Sequence, residues 1–176
     1  MPKPSRSPGD CCDEYRQPPF LTASGDLSHH LEQIPSVLKV QTDARGRQWA
    51  FSGSKWEPIA GYCRGMRDGN RIVVSGTTAT HAHDHDIAPG NARAQTTYIL
   101  DKIAATLTAL GAGLEDVIRT RTYLTGEEDA EAVSRAHCRV FGTYPPTNTT
   151  YVVGKLVGDF RVEIEAEALV ADTGET

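Results

Sequence analysis

No block of five or more lysines or arginines occurs anywhere in the 176 residues, and the formal charge is −5, with Lys+Arg 18 against Asp+Glu 23. Nucleic-acid binding needs clustered cations to displace counterions from phosphates, so this balance argues against a nucleic-acid partner. No apolar run approaches the roughly 18 residues that a membrane-crossing helix requires, which argues against a membrane partner. Cysteine is scarce, and Cys11, Cys12, Cys63 and Cys138 show neither a CxxC pair nor a framework spacing. The first residues hold no continuous apolar stretch ahead of a small-residue cleavage site. The expectation is a cytoplasmic protein with reduced cysteines.

What remains fits one domain with an appended segment, long enough to bury about two-thirds of the surface of the unfolded chain. Residues 1–46 are rich in proline, charge and small polar groups, the composition of a mobile arm. Within it Leu27, Leu31, Ile34 and Leu38 recur at near-helical spacing after Ser24 or Asp26, predicting a short helix that ends near Pro35. The domain proper is expected over 47–172, with 173–176 as a tail.

From Gln48 the pattern turns to short strand-like runs: Trp49–Ser52, Tyr62–Met66 and Arg71–Gly76. Asp68-Gly69-Asn70 between the last two predicts a hairpin, because the turn needs positive φ. Ala92, Ile99, Ile103, Leu107 and Leu110 lie at helical intervals, with Gly111-Ala112-Gly113 as the stop. Asp116–Thr125 reads as a strand, and Glu127–Phe141 as a second helix with acids in its first turn. Two further strands are expected at Thr149–Val153 and Arg161–Val170. The order predicts an α+β sandwich: a mixed six-stranded sheet with two helices on one face.

Some side chains stand out from the pattern itself. Arg121 lies mid-strand on a face read as shared with Val117, Arg119 and Tyr123, either as a solvated or paired charge or as a guanidinium directed into a site. His137 falls on the helical stripe between Val133 and Phe141, a satisfied core histidine or a catalytic one. Arg161, Glu163 and Glu165 share one side of the last strand. The run His81-Ala82-His83-Asp84-His85-Asp86 alternates imidazoles and carboxylates, but in a polar loop without an evident distant fourth ligand, so no physiological metal site is expected. Cys63 and Cys138 read as small buried hydrophobes.

Taken in order, Gly61-Tyr62, Ile72-Val73-Val74-Ser75-Gly76, Gln95-Thr96, the stretch Leu110-Gly111-Ala112-Gly113-Leu114-Glu115-Asp116-Val117, and Val162-Glu163-Ile164-Glu165-Ala166 resemble the Rid/YjgF reactive-intermediate deaminases over about residues 50 to 172. The opening Ser52-Gly53-Ser54-Lys55-Trp56-Glu57-Pro58 looks like a variant branch. The resemblance implies a chorismate-mutase-like fold and a homotrimer around a central barrel, with clefts between subunits. It also implies hydrolysis of reactive imines and enamines to release ammonia, without a cofactor.

Carried over position by position, the resemblance makes Glu163 the group that handles a water, with Pro146 matching the family's proline. Tyr62 would offer a hydroxyl to substrate, or be a half-buried core aromatic. Ser75 would floor the pocket, or be a small residue at a strand end. The family's substrate-clamping arginine falls on Asn148, a neutral amide in place of a charged two-pronged donor. Asn148 can still orient a carbonyl or serve the backbone, and Arg121 could replace the guanidinium from another direction. Trp56 is a candidate cover for the pocket. Two functions follow: an imine or enamine hydrolase whose substrate need not carry the usual carboxylate, in an ordinary or specialised biosynthetic pathway, or a non-catalytic trimer that binds a small metabolite or a partner protein. Ribonuclease activity is disfavoured by the charge balance.

Overall fold

The structure, a computed structural model, describes residues 38–81 and 85–171, so the helix expected near Pro35 lies outside the described residues. The chain runs β1 (Lys39–Thr42), β2 (Gln48–Phe51), α1 (Trp56–Ala60), β3 (Gly65–Asp68), β4 (Arg71–Thr77), a small β5–β6 pair (Thr80–His81 and His85–Asp86), α2 (Ala92–Ala109), β7 (Val117–Leu124), α3 (Ala130–Phe141), β8 (Thr147–Val152) and β9 (Val162–Leu169). The main sheet has the order β1-β2-β3-β4-β9-β7-β8. Its pairs are antiparallel except β7 with β8.

The mixed sheet with α2 and α3 matches the expected architecture, but it holds seven strands where six were expected. The seventh is β1, which falls inside the segment read as an arm. Asp43 makes the hairpin: its Oδ1 accepts from the backbone N–H of Arg45 and of Arg47, each at 2.9 Å, and Gly46 takes φ +78°. The other hairpin forms where Asp68-Gly69 predicts it, with Gly69 at φ +61°.

One face of the sheet carries the core. In β9, Val162, Ile164, Ala166 and Ala168 are buried beneath the helices, and the three glutamates between them take the other face. Ile99, Ile103 and Leu107 of α2 are fully buried in the same cluster, joined by Val133 and Phe141 of α3. Gly65 lets α2 approach: a Cβ there would lie 2.6 Å from Thr106 Cγ2. The helix begins at Asn91, whose side chain accepts from Ala94 N–H, and stops with Gly111 at φ +76° and Ala112 N–H returned to the Leu107 carbonyl.

A register shift between Val117 and Arg119 turns Val117 into the core, so it does not share the face of Arg119, Arg121 and Tyr123 as the alternation suggested. Cys63 is free, and both Cys63 and Cys138 are half-buried rather than fully buried as expected. Among the described residues no helix is long and apolar enough to cross a membrane, and no group of metal-ligating side chains converges. Part of the His81–Asp86 run lies outside those residues.

Candidate functional site

A second irregularity builds the site. In the β4–β9 ladder Val74 pairs with Ala166 and Thr77 with Ile164, so Ser75 and Gly76 together oppose the single residue Glu165. Such a bulge re-aims the strand locally. The bare α-carbon of Gly76 then receives the Glu163 carboxyl group, because any Cβ at Gly76 would overlap Glu163 Oε1. Glu163 is half-buried and faces the helix-free side of the sheet, beside Tyr123 of β7.

Burial raises the Glu163 pKa above the usual carboxylate range; the neighbouring Glu165 charge adds to this, and the Arg64 guanidinium opposes it. Arg64 is buried at the entry to β3. Its Nη1 donates to the Gly76 carbonyl at 2.8 Å and to Thr77 Oγ1 at 3.1 Å, and its Nη2 to the Tyr62 hydroxyl at 3.4 Å. Ser75 Oγ donates to the Cys63 carbonyl at 2.8 Å.

Tyr62 and Ser75 also line a cleft of about 850 Å³, together with Trp49, Phe51, Gln41 and Cys63. Ser75, at one wall of this cleft, is the residue before Gly76, on which the Glu163 carboxyl group rests. Burial pushes the Cys63 thiol upward, which keeps it protonated and unfit as a thiolate nucleophile. The loop above is held by buried Glu57, whose carboxylate accepts from Ser52 N–H and Oγ–H and from Gly53 N–H. Trp56 stands outside the cleft lining: it is 52 % exposed, with Lys55 Nζ 5.3 Å from its ring centroid.

The other singled-out residues gather elsewhere. Asn148 pairs with Thr120 in the ladder and shares its helix-facing side. Its Oδ1 accepts from Thr120 Oγ at 3.2 Å and Thr122 Oγ at 3.4 Å, and its Nδ2 donates to Thr150 Oγ. His137 Nε2 lies 3.0 Å from the same Thr120 hydroxyl, and its ring packs 4.6 Å from Phe141. With the Thr120 proton given to Asn148, His137 donates from Nε2, which fixes the tautomer of the neutral ring. Burial lowers the His137 pKa, so the ring is neutral near pH 7.

Arg121 faces the helix-free side but is engaged there: Nη1 donates to Glu165 at 3.0 Å and stands 3.6 Å from Glu167. Arg161 precedes β9 and turns away to Glu128 and Asp129, so it does not share the side of Glu163. Within one chain Tyr62 and Ser75 line one cleft and Glu163 rests on the neighbouring Gly76, whereas Asn148 and His137 lie on the opposite face of the sheet. Arg64 was not anticipated. A Cys-Arg-Gly step at a hairpin entrance carries no sign that its arginine is buried; the only signal is the Ser-Gly pair that makes the bulge.

A sequence model described as "Endoribonuclease L-PSP" matches residues 52–170. The chain is 36% identical over 118 residues to the Streptomyces coelicolor protein SCO2049, covering 66% of this chain and 87% of that one. The crystal structure of Mycobacterium tuberculosis Rv2704, a member of the YjgF/YER057c/UK114 family, superposes with a TM-score of 0.64 at 36% identity, over 70% of this chain and 99% of that one. A 2-iminobutanoate/2-iminopropanoate deaminase of Dermatophagoides farinae is 24% identical over 114 residues, 65% of this chain and 89% of its own. Fold and sequence agree: the chain belongs to the YjgF/Rid family and has that family's chorismate-mutase-like fold.

Proposed function

We propose that this protein hydrolyses a reactive imine or enamine, or a related small intermediate, to a carbonyl compound and ammonia without a cofactor. The observation that carries the reading is the Glu163 carboxyl group: half-buried, seated on Gly76, and held above the ordinary carboxylate pKa. Such a group can take a proton from water near neutral pH and return it. In the imine case its carboxylate accepts a water proton as the oxygen bonds to the C=N carbon. The proton then passes to nitrogen to give a carbinolamine; the carboxylate next takes the proton of the new hydroxyl and returns it to the NH2 group, so that the C–N bond breaks and NH3 leaves as the C=O forms. Tyr62 and Ser75 contribute hydroxyls at the polar end of the cleft. The deaminase named among the relatives supports this reaction class.

The reading includes a homotrimer, in which the helix-free face of each sheet meets its neighbours and the exposed edge strand β8 brings Asn148 towards an adjoining subunit's cleft. The outward-facing Tyr151, Val152 and Leu169 support such packing. A single monomeric mass by light scattering would remove this part. The alternative, a non-catalytic metabolite-binding trimer, draws on the Trp49–Phe51 wall of the cleft. Ammonia release from a panel of enzymatically generated imines, with and without carboxylates, separates the two. Turnover supports the hydrolase, and tight binding of the cleft without turnover of any imine supports the alternative.

A further inference from the structure

Resting on the hydrolase reading, we propose that Arg64 is the positioning residue of this site: its guanidinium fixes the Gly76 carbonyl and the Tyr62 hydroxyl around the Glu163 carboxyl group and supplies the positive charge that position 148 lacks. The backbone is pinned on both sides, with Arg64 N–H donating to the Ala50 carbonyl at 2.8 Å and the Arg64 carbonyl accepting from Ser75 N–H at 3.0 Å. The residue is 8 % exposed, yet no carboxylate forms an ion pair with it among the described residues. Its contacts are neutral oxygens: Gly76 O, Thr77 Oγ1 and Tyr62 OH.

A buried guanidinium is ordinarily compensated at short range by a carboxylate. Here the hydrogen-bond partners are neutral and no carboxylate among the described residues stands within ion-pair distance, so the charge acts on what lies near. The groups facing Glu163 are Glu165 from its own strand, Tyr123 from β7, Gly76 from β4 and Arg64 from the start of β3. Tyr123 and Arg121 are both spent on Glu165. Arg64 is thus the cation that opposes the burial and the like charge acting on Glu163. Its planar fork also ties the Tyr62 hydroxyl to the carbonyl of Gly76, the residue on whose α-carbon the Glu163 carboxyl group rests.

The test is a ¹³C NMR titration of the Glu163 carboxyl carbon, assigned by its loss in Glu163→Gln, in wild type, Arg64→Gln and Arg64→Lys. Arg64→Gln moves the midpoint to higher pH, and the acid limb of kcat/KM moves with it. Arg64→Lys, which keeps the charge without the fork, leaves the midpoint near that of wild type while kcat/KM falls on the order of tenfold. An unmoved midpoint in Arg64→Gln overturns the proposal. So does an Arg64→Lys protein that turns over like wild type, a result that stands even if Arg64→Gln does not fold. Because the titration needs no substrate, a shifted midpoint in a protein that hydrolyses no imine sinks the hydrolase reading while leaving the charge assignment in place.

Discussion

Glu163 and Glu167 occupy the same face of β9, four residues apart, and their surroundings push them in opposite directions. Glu167 receives Arg119 and Arg71 directly, and their hydrogen bonds lower its pKa. Glu163 has no direct cationic partner; burial and Glu165 raise it against the more distant pull of Arg64. Residue type and strand position are shared, so the difference lies in what the adjoining strands present. Across from Glu167 stand Val73 and the arginine ladder of β7, whereas next to Glu163 the β4 bulge offers a glycine and no charge. One carboxylate is tied into the sheet, and the other is left able to exchange a proton.

The comparison can be broken most sharply by Glu163→Gln. Loss of a general acid/base typically costs about 10²- to 10⁴-fold in turnover, and ammonia release should fall by that order while circular dichroism and melting temperature hold. Gly76→Ala should come next. The new Cβ displaces the carboxyl group rather than removing it, and misplacement of this size is expected to lower kcat by roughly 10²-fold, with a crystal structure showing Glu163 turned away. Glu165→Gln sharpens the contrast without touching the reacting group. With the like charge gone, the Glu163 pKa falls and the acid limb of the kcat/KM profile moves to lower pH.

The smallest effect concerns the opposite face of the sheet. Burial keeps the folded pKa of His137 below its ordinary 6.5, so the unfolded chain binds the proton first as pH drops. The associated stability is fully present above about pH 6.5 and is lost as pH falls through the folded value. Denaturant midpoints of wild type and His137→Gln should therefore diverge above that pH and converge below it, with little change in turnover.

Much of this fold was legible because its periodicities are strong. The alternation of Val162 to Ala168 and the spacing of Ile99, Ile103 and Leu107 each report a face pressed against the other. β1 was missed because all four of its residues are exposed and so carry no apolar alternation, and its turn depends on the Asp43 side chain. α1 is only five residues long and owes its place to Glu57 binding the loop before it. Tyr62, Ser75 and Glu163 stand out in the sequence through the phrases that carry them, but the buried position of Arg64 does not. Its burial goes with a bulge in the adjoining strand β4, and an arginine beside a glycine at a hairpin entrance reads equally well as a surface charge. Arg121, by contrast, was visible as a strand-borne charge, and the Glu165–Glu167 ladder that occupies it becomes apparent only once β7 and β9 are paired.

The most direct test sets the two glutamates against each other. Ammonia release from the most rapidly hydrolysed imine is measured for wild type, Glu163→Gln and Glu167→Gln, with the folded fraction of each determined in parallel. Turnover lost in Glu163→Gln and kept per folded molecule in Glu167→Gln is the predicted result; equal turnover in the two variants would contradict the account.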